Sequence, residues 1–299
     1  MDRTLRIAAL DAGFFANVNN VVSVLGSCLG QKGFNSARVD WTVRPNMFHF
    51  TYGDVGTEVW GRFFEPLPFE PKTGPETDAP VFPDYSLTDV YAYRLYKRDL
   101  SWRRANHETY RRFVRPLPHI VQAVEEFAAA NFRGHPVIAV HARHHGHSVE
   151  NIFDIPPASL FIAKARRLAS ISPDTRVFLA TDNAATASAF EDAFGDRLVM
   201  QSGVERASDQ RQIHQGATAS ESRGMQVLVD ALLLARCDAM LHVTSNIATA
   251  VGYINPALPM HFCETRRQAA LGSALAMTMR VRAVGHAVRA FRARSHSRR

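Results

Sequence analysis

The residues best suited to chemistry lie between Pro136 and Glu150, PVIAVHARHHGHSVE, where an apolar run ends in cationic and titratable side chains. His141, Arg143, His144, His145 and His147 follow one another closely there. An arginine offers a planar fork of donors and a charge that cannot be titrated away, which suits a phosphate better than a core. Two further stretches have the same form, Ala180-Thr181-Asp182-Asn183 and His242-Val243-Thr244-Ser245-Asn246. Asp182 and Asp230 can accept hydrogen bonds from a sugar or a base. Asp230 interrupts an otherwise apolar helix face, where a buried carboxylate needs a partner.

Each of these has a plainer reading. Asp182, Asn183, Ser245 and Asn246 all stand where a helix begins and can serve as ordinary caps. A surface salt bridge for Arg143 fits poorly with its place directly after a buried strand. The histidines match neither H-E-x-x-H nor a paired Cys/His pattern, so no metal site is expected. Nor is there a G-x-S-x-G turn or a cysteine with an evident base, which argues against nucleophilic hydrolysis.

The elements that must position these groups are legible in the hydrophobic pattern. Residues 136–140 are β-branched, brief and follow Gly134, so they form a buried strand. After it, the pattern predicts helix at 156–169, strand at 175–180, helix at 184–194 and a short strand at 197–200. A polar loop at 201–220, helix at 221–235, strand at 239–243, helix at 247–253 and strand at 259–263 complete this half. Strands separated by helices in this order predict a parallel, doubly wound sheet. Ligands bind beyond the carboxyl ends of such strands, which is where the three polar stretches fall.

The first half is less regular. A strand at 6–10 runs into the turn Asp11 to Asn17 and then a helix at 18–29, so free backbone N–H groups surround Gly13. G-x-G-x-x-G is absent. Asn17, Asn19 and Asn20 either cap that helix or face a ligand. A second strand is expected at 36–43. Residues 44–86 hold most of the prolines and are expected to be irregular, with a short strand at 57–60. Helices are expected at 87–98, 106–114 and 117–132, with Pro116 and Pro118 marking the break.

Composition narrows the class. The net charge of +7 is confined to the C-terminus, where Arg280, Arg282, Arg289, Arg292, Arg294, Arg298 and Arg299 stand without an acidic residue among them. Removing those seven from the 35 basic residues leaves 28, equal to the 28 acidic ones. A neutral body argues against a nucleic-acid enzyme. Met277, Val281, Val284, Val288 and Phe291 recur at helical spacing in this tail. It reads either as a basic amphipathic helix on an anionic membrane face or as a last helix packed on the body. Three cysteines without paired spacing point to a reducing compartment. With no membrane-spanning run or signal peptide in view, the location expected is cytoplasmic, at most against the inner membrane face.

At this point the residues resemble a family. VIAVHARHHGHSVENIF is similar to the H-x-R-R strand-loop of the fucosyltransferases that make core α1,6-fucose in animals and fucosylate nodulation factors in bacteria. FLATDNAATASAFEDAFG resembles their strand ending in A-T-D-D, and SRGMQVLVDALLLARCDAMLHVTSNIATAVGYI their helix with an aspartate followed by a strand ending in serines. Order and spacing agree over residues 137–254, and the first half shares the glycine turn before its first helix.

The resemblance implies a GT-B-like α/β fold of two Rossmann-like domains with parallel sheets. The division expected is an acceptor-side domain at 1–134, a nucleotide-sugar domain at 135–265, and a helix with basic tail at 266–299. It implies an inverting, metal-independent glycosyltransferase without a cofactor, moving fucose or a related sugar from a GDP-sugar donor to a glycan or lipid-linked glycan. Arg143 would bind the β-phosphate and stabilise departing GDP. His141 and Asp230 would hold guanine. Asp182, Thr244, Ser245 and Asn246, with Gly13 and Asn17 at the first helix, would shape the donor site. Glu150 falls where the core enzymes carry a glutamate proposed as general base, once one loop residue is deleted. The chain departs from the family at His144, in place of the second arginine, and at Asn183, in place of the second aspartate. A protonated His144 would partly replace the arginine, so that donor binding weakens as pH rises through about 6.5. These departures keep two alternatives open, another nucleotide-sugar donor and a non-catalytic nucleotide- or glycan-binding protein.

Overall fold

The computed structural model describes residues 3–29, 34–70, 75–80, 100–143, 156–207 and 220–265 of the 299. The Cα positions cluster into one compact unit over Met1–Cys263 and a second over Glu264–Arg299. The helix expected at 87–98 and the basic tail lie outside the described residues.

Among its described residues the first unit contains two wholly parallel sheets, the second of which is the one the hydrophobic pattern predicts. In the first, β1 (Arg3–Ala8) lies between β2 (Phe34–Asp40) and β3 (Glu76–Asp78). Leu5 and Ile7 of β1 are buried, whereas Arg6 pairs with Asp40 on β2 and Asp78 on β3. The alternation of apolar and charged residues thus matches the two-residue period of a strand with one covered face. Helix α1 (Phe14–Cys28) starts from Gly13 with no side-chain cap, four residues earlier than its apolar spacing suggests.

Over its described residues the stretch expected to be irregular lacks long elements but is densely packed. Trp41, Phe50, Tyr52, Trp60, Phe63 and Phe64 gather around Phe14, and Phe14 meets Phe63 and Tyr52 edge to face with ring centroids 5.0 and 5.3 Å apart. Such pairs are each worth about 0.5–1.5 kcal/mol beyond the area they bury. No strand forms at 57–60. Thr42 and Glu58 make a single antiparallel bridge, and a 3₁₀ turn follows at Trp60–Arg62 because the Glu58 carboxylate accepts the N–H groups of Trp60 and Gly61.

Helices α2 (Leu100–Phe113) and α3 (Pro118–Asn131) come next, with Pro118 opening α3 where its missing N–H costs nothing. The second sheet has the order β6-β5-β4-β7-β8, comprising β4 (Val137–Ala142), β5 (Arg176–Thr181), β6 (Leu198–Val199), β7 (Ala239–His242) and β8 (Met260–Phe262). Its helices are α4 (Ala158–Ala169), α5 (Ala184–Phe194), α6 (Glu221–Leu234) and α7 (Asn246–Ile254). Val140, Leu179 and Leu241 pack on one face with Phe161 of α4 and Phe190 of α5. On the other, Ala139, Phe178 and Met240 join α3, α6 and the core of the first sheet in one continuous apolar cluster.

A buried arginine ties α2 to α7. Arg103 is only 4% exposed, and its guanidinium donates to the carbonyls of Gly252 (2.7 Å), Asn255 (2.7 Å) and Leu258 (2.9 Å). These carbonyls lie at and beyond the carboxyl end of α7, where a cation also complements the helix dipole. Replacing Arg103 by Met keeps the bulk and leaves three carbonyls to find other donors. At about 1–3 kcal/mol for each group left unpaired, we expect a loss of about 3 kcal/mol or more, read from the urea midpoint. A loss below about 1 kcal/mol would mean that water satisfies the end of α7.

Candidate functional site

The strand order reverses between β4 and β7, since β5 and β6 extend the second sheet to one side and β7 and β8 to the other. A crevice opens beyond the carboxyl ends of the strands at such a reversal. In the parallel register His141 pairs with His242, so the two rings leave the same face of the sheet, and Arg143 follows β4 one residue past its end. Thr244, Ser245 and Asn246 follow β7 at the other lip.

His141 is 5% exposed, and among the described residues neither ring nitrogen has a hydrogen-bond partner of normal geometry. Burial and the neighbouring Arg143 charge drive its pKa down to about 3, against an opposing pull from the Ala180 backbone. The ring is therefore neutral across the physiological range, and among the described residues its donor and acceptor have no partner of normal geometry. His242 is wholly buried, with Nδ1 2.9 Å from the Val243 carbonyl and its ring edge-on to Phe262.

Several predicted site residues turn out to brace the crevice. Asn183 caps α5, its Oδ1 accepting from Thr186 N (2.8 Å) and Thr186 Oγ1 (3.0 Å). Ser245 caps α7, accepting from Ala248 N at 3.0 Å. Asn246 receives Asn19 Nδ2 at its carbonyl (3.2 Å) and at Oδ1 (3.1 Å), while Tyr253 donates to Asn19 Oδ1 at 2.8 Å. Asn17 donates to the carbonyls of Leu10, Ala12 and Gly13 and accepts the Leu10 N–H, so its amide hydrogens are taken up by the turn before α1. These residues hold the backbone that lines the crevice. Asp182 is half-buried at the end of β5, and its carbonyl accepts the Ala207 N–H, which draws residues 205–207 alongside.

Gly13 is matched by a residue the sequence did not reveal. The Tyr52 hydroxyl accepts the Phe14 N–H at 2.9 Å, and a Cβ on Gly13 would lie 4.0 Å from the same oxygen. Burial lifts the Tyr52 pKa to about 12, while the Phe14 N–H and the charges of Arg143 and Arg223 pull it down. The start of α1 is therefore bonded to this hydroxyl, which also feels the Arg143 charge from the end of β4. Nothing in the primary pattern marks Tyr52, which sits in a loop far from both.

Asp230 occupies the middle of α6, where Gln201 donates to its Oδ1 at 2.6 Å. Burial raises its pKa to about 7, against the Gln201 hydrogen bond and the Arg206 charge. A carboxylate held at its titration midpoint near neutrality has affinity to spare for a ligand with paired N–H donors. Gln201, and Arg206 that donates to the Gln201 carbonyl at 3.3 Å, lie in the polar loop after β6 and carry no periodic signal. His144 and Glu150, with His145 and His147, lie outside the described residues. Among the described residues no three His, Cys, Asp or Glu side chains are grouped to hold a metal, and no helix is long and apolar enough to cross a membrane.

Comparison with known proteins bears on this arrangement. NodZ α-1,6-fucosyltransferase soaked with GDP-fucose is 19% identical, with a TM-score of 0.54 over 86% of this chain and 94% of that one. Fucosyltransferase NodZ from Bradyrhizobium is 18% identical, with a TM-score of 0.52 over 86% and 94%. POFUT1 in complex with GDP is 9% identical, with a TM-score of 0.51 over 88% and 98%. The parallel α/β architecture expected from the sequence is thus shared with these glycosyltransferases of GT-B fold. No curated protein sequence matches the chain. Residues 99–251, just over half of the chain, match the family described as nodulation protein Z (NodZ), and the chain belongs to that family.

Proposed function

We propose that this protein is an inverting fucosyltransferase that takes its sugar from GDP-fucose, or a closely related GDP-sugar, and passes it to a glycan. The observation that carries this reading is the pair Arg143 and His141 at the reversal of the second sheet, in a chain of the NodZ family. GDP and GDP-fucose are the ligands of the similar structures. In this reading Arg143 binds the diphosphate, and the neutral His141 ring and the Asp230 carboxylate recognise guanine. Asp182, Thr244 and the backbone around Gly13 form the remaining walls.

In the reaction the acceptor hydroxyl oxygen attacks the anomeric carbon from the face opposite GDP. The new carbon–oxygen bond forms as the bond to the β-phosphate oxygen breaks, which inverts the centre. The hydroxyl proton passes to a carboxylate, for which Glu150 is our assignment. The electron pair leaves on the diphosphate, where Arg143 and the N–H groups at the helix starts stabilise it. These groups supply the charge compensation that a metal ion provides elsewhere. For the acceptor we assign a membrane-facing or lipid-linked glycan, with the basic tail making peripheral contact with an anionic surface in the cytoplasm.

The departures from the family at His144 and Asn183 favour one other reading, a protein that binds the nucleotide and transfers nothing. Asn183 weakens that case, because an asparagine caps α5 as well as an aspartate does. Hydrolysis of GDP-fucose without acceptor separates the two, since a transferase leaks sugar to water and a binding protein does not. We expect slow release of fucose, and Arg143→Ala should lower kcat/KM about 100-fold or more with kcat reduced as well. An unchanged kcat at saturating donor would remove Arg143 from the chemistry.

The pH dependence of donor binding should identify Asp230. Guanine presents N–H groups, so the carboxylate form binds and the carboxylic acid, dominant below about pH 7, does not. GDP affinity measured as the ratio of wild type to Asp230→Asn should therefore rise about tenfold between pH 6 and pH 8. The ratio cancels any contribution from His144, which has the opposite sign. A ratio independent of pH would place the guanine elsewhere.

A further inference from the structure

The resemblance implies two adjacent arginines after the strand, whereas this chain has Arg143 followed by His144. Among the described residues another cation is buried at the start of α6, the helix that precedes β7. Arg223 is the third residue of α6 and is only 9% exposed. That is an unfavourable address for a guanidinium, because the first turn of a helix already carries positive potential and burial removes water. Its Nε donates to Glu205 at 3.0 Å, but the Glu205 side chain is itself 61% exposed and screened by solvent.

The packing around Arg223 fixes where this helix start lies. A Cβ on the next residue, Gly224, would come within 2.5 Å of Phe63 Cζ, so the absence of a side chain lets α6 sit directly on the aromatic cluster. Phe63 in turn packs on Phe14, whose N–H is bonded to the Tyr52 hydroxyl. The first turn of α6, which carries Arg223, is thereby packed against the aromatic cluster at the start of α1. The Tyr52 hydroxyl lies in the field of both guanidiniums.

We propose that Arg223 is the second diphosphate-binding cation of this enzyme, supplying from the first turn of α6 the charge that the β4 loop lacks at His144. The assignment rests on the reading of the protein as a GDP-sugar transferase and goes beyond it by naming a residue, at the opening of the third motif stretch, to which the resemblance gives no role. Arg143 and Arg223 would hold the diphosphate between them, with the Tyr52 hydroxyl fixing the helix start and Glu205 keeping the Arg223 guanidinium in place until a phosphate arrives. A site of this kind recognises the diphosphate rather than the base.

The test compares GDP with guanosine by calorimetry on wild type, Arg223→Ala, Arg223→Lys and Glu205→Gln. Arg223→Ala should weaken GDP binding about 10-fold to 100-fold and leave guanosine binding unchanged, while Arg223→Lys recovers part of the loss. Glu205→Gln breaks the ion pair but keeps the cation, so it should not reproduce the loss seen with Arg223→Ala. Equal losses for GDP and guanosine, or an equal effect of Glu205→Gln, would reduce Arg223 to a structural ion pair. Should Arg223→Ala fail to fold, Arg223→Lys and Glu205→Gln carry the same comparison. If wild type does not bind GDP the parent reading fails, whereas if wild type binds it and Arg223→Ala binds it equally well only this inference does.

Discussion

Two helix starts, those of α1 and α7, are held against each other by a single buried amide, and the geometry of the crevice depends on it. Asn19 is fully buried, donates to Asn246 at both its carbonyl and its side chain, and accepts from the Tyr253 hydroxyl. Its polar atoms are satisfied without water, which makes the clasp stable once formed and costly to open. The arrangement brings a helix of the first sheet and a strand-end helix of the second into fixed register. Backbone donors from both then border the place where β4 delivers Arg143.

Dryness is the second organising constraint. A continuous apolar cluster runs from Leu5 and Ile7 of the first sheet through the aromatic loop to Ala139 and Met240 of the second. Water is therefore scarce around the polar groups that remain, and their protonation follows from that. His141 is held neutral, Asp230 is poised near neutrality, and the Tyr52 hydroxyl keeps its proton. Arginines retain their charge in such surroundings, and their attraction for an anion is stronger there than in water. Under the proposal above, Arg143 and Arg223, whose charges both bear on the Tyr52 hydroxyl, are the receptor for the diphosphate.

Much of the second half was legible from the sequence because each strand there is short, apolar and bounded by a helix with a clear three-to-four-residue period. The limits of α5 are those of its pattern, and β4 and β7 differ from theirs by one or two residues. The first half hid more. β3 is Glu-Thr-Asp, which has no apolar alternation because it needs only a neighbour for its backbone and not a buried face. Residues 44–64 read as loop because aromatic rings pack edge to face without helical or strand spacing. The candidate site was found as three strand ends, but the sequence could not say which polar residues face the ligand and which brace the backbone. Asn17, Asn183 and Ser245 brace the backbone, while Tyr52 and Gln201 stand in loops that carry no motif and Arg223 opens the third motif helix without a signal of its own.

The central claim is that the crevice at the β4–β7 reversal binds GDP without help from a metal. Its most direct test is the thermal unfolding midpoint of the intact protein with GDP, UDP or ADP, each with and without EDTA. A ligand at about 100 times its dissociation constant stabilises the folded state by about 2.7 kcal/mol, which is readily measured. The account predicts a rise with GDP that EDTA leaves unchanged, and little or none with UDP and ADP. A rise with UDP, or no rise with GDP, would contradict it.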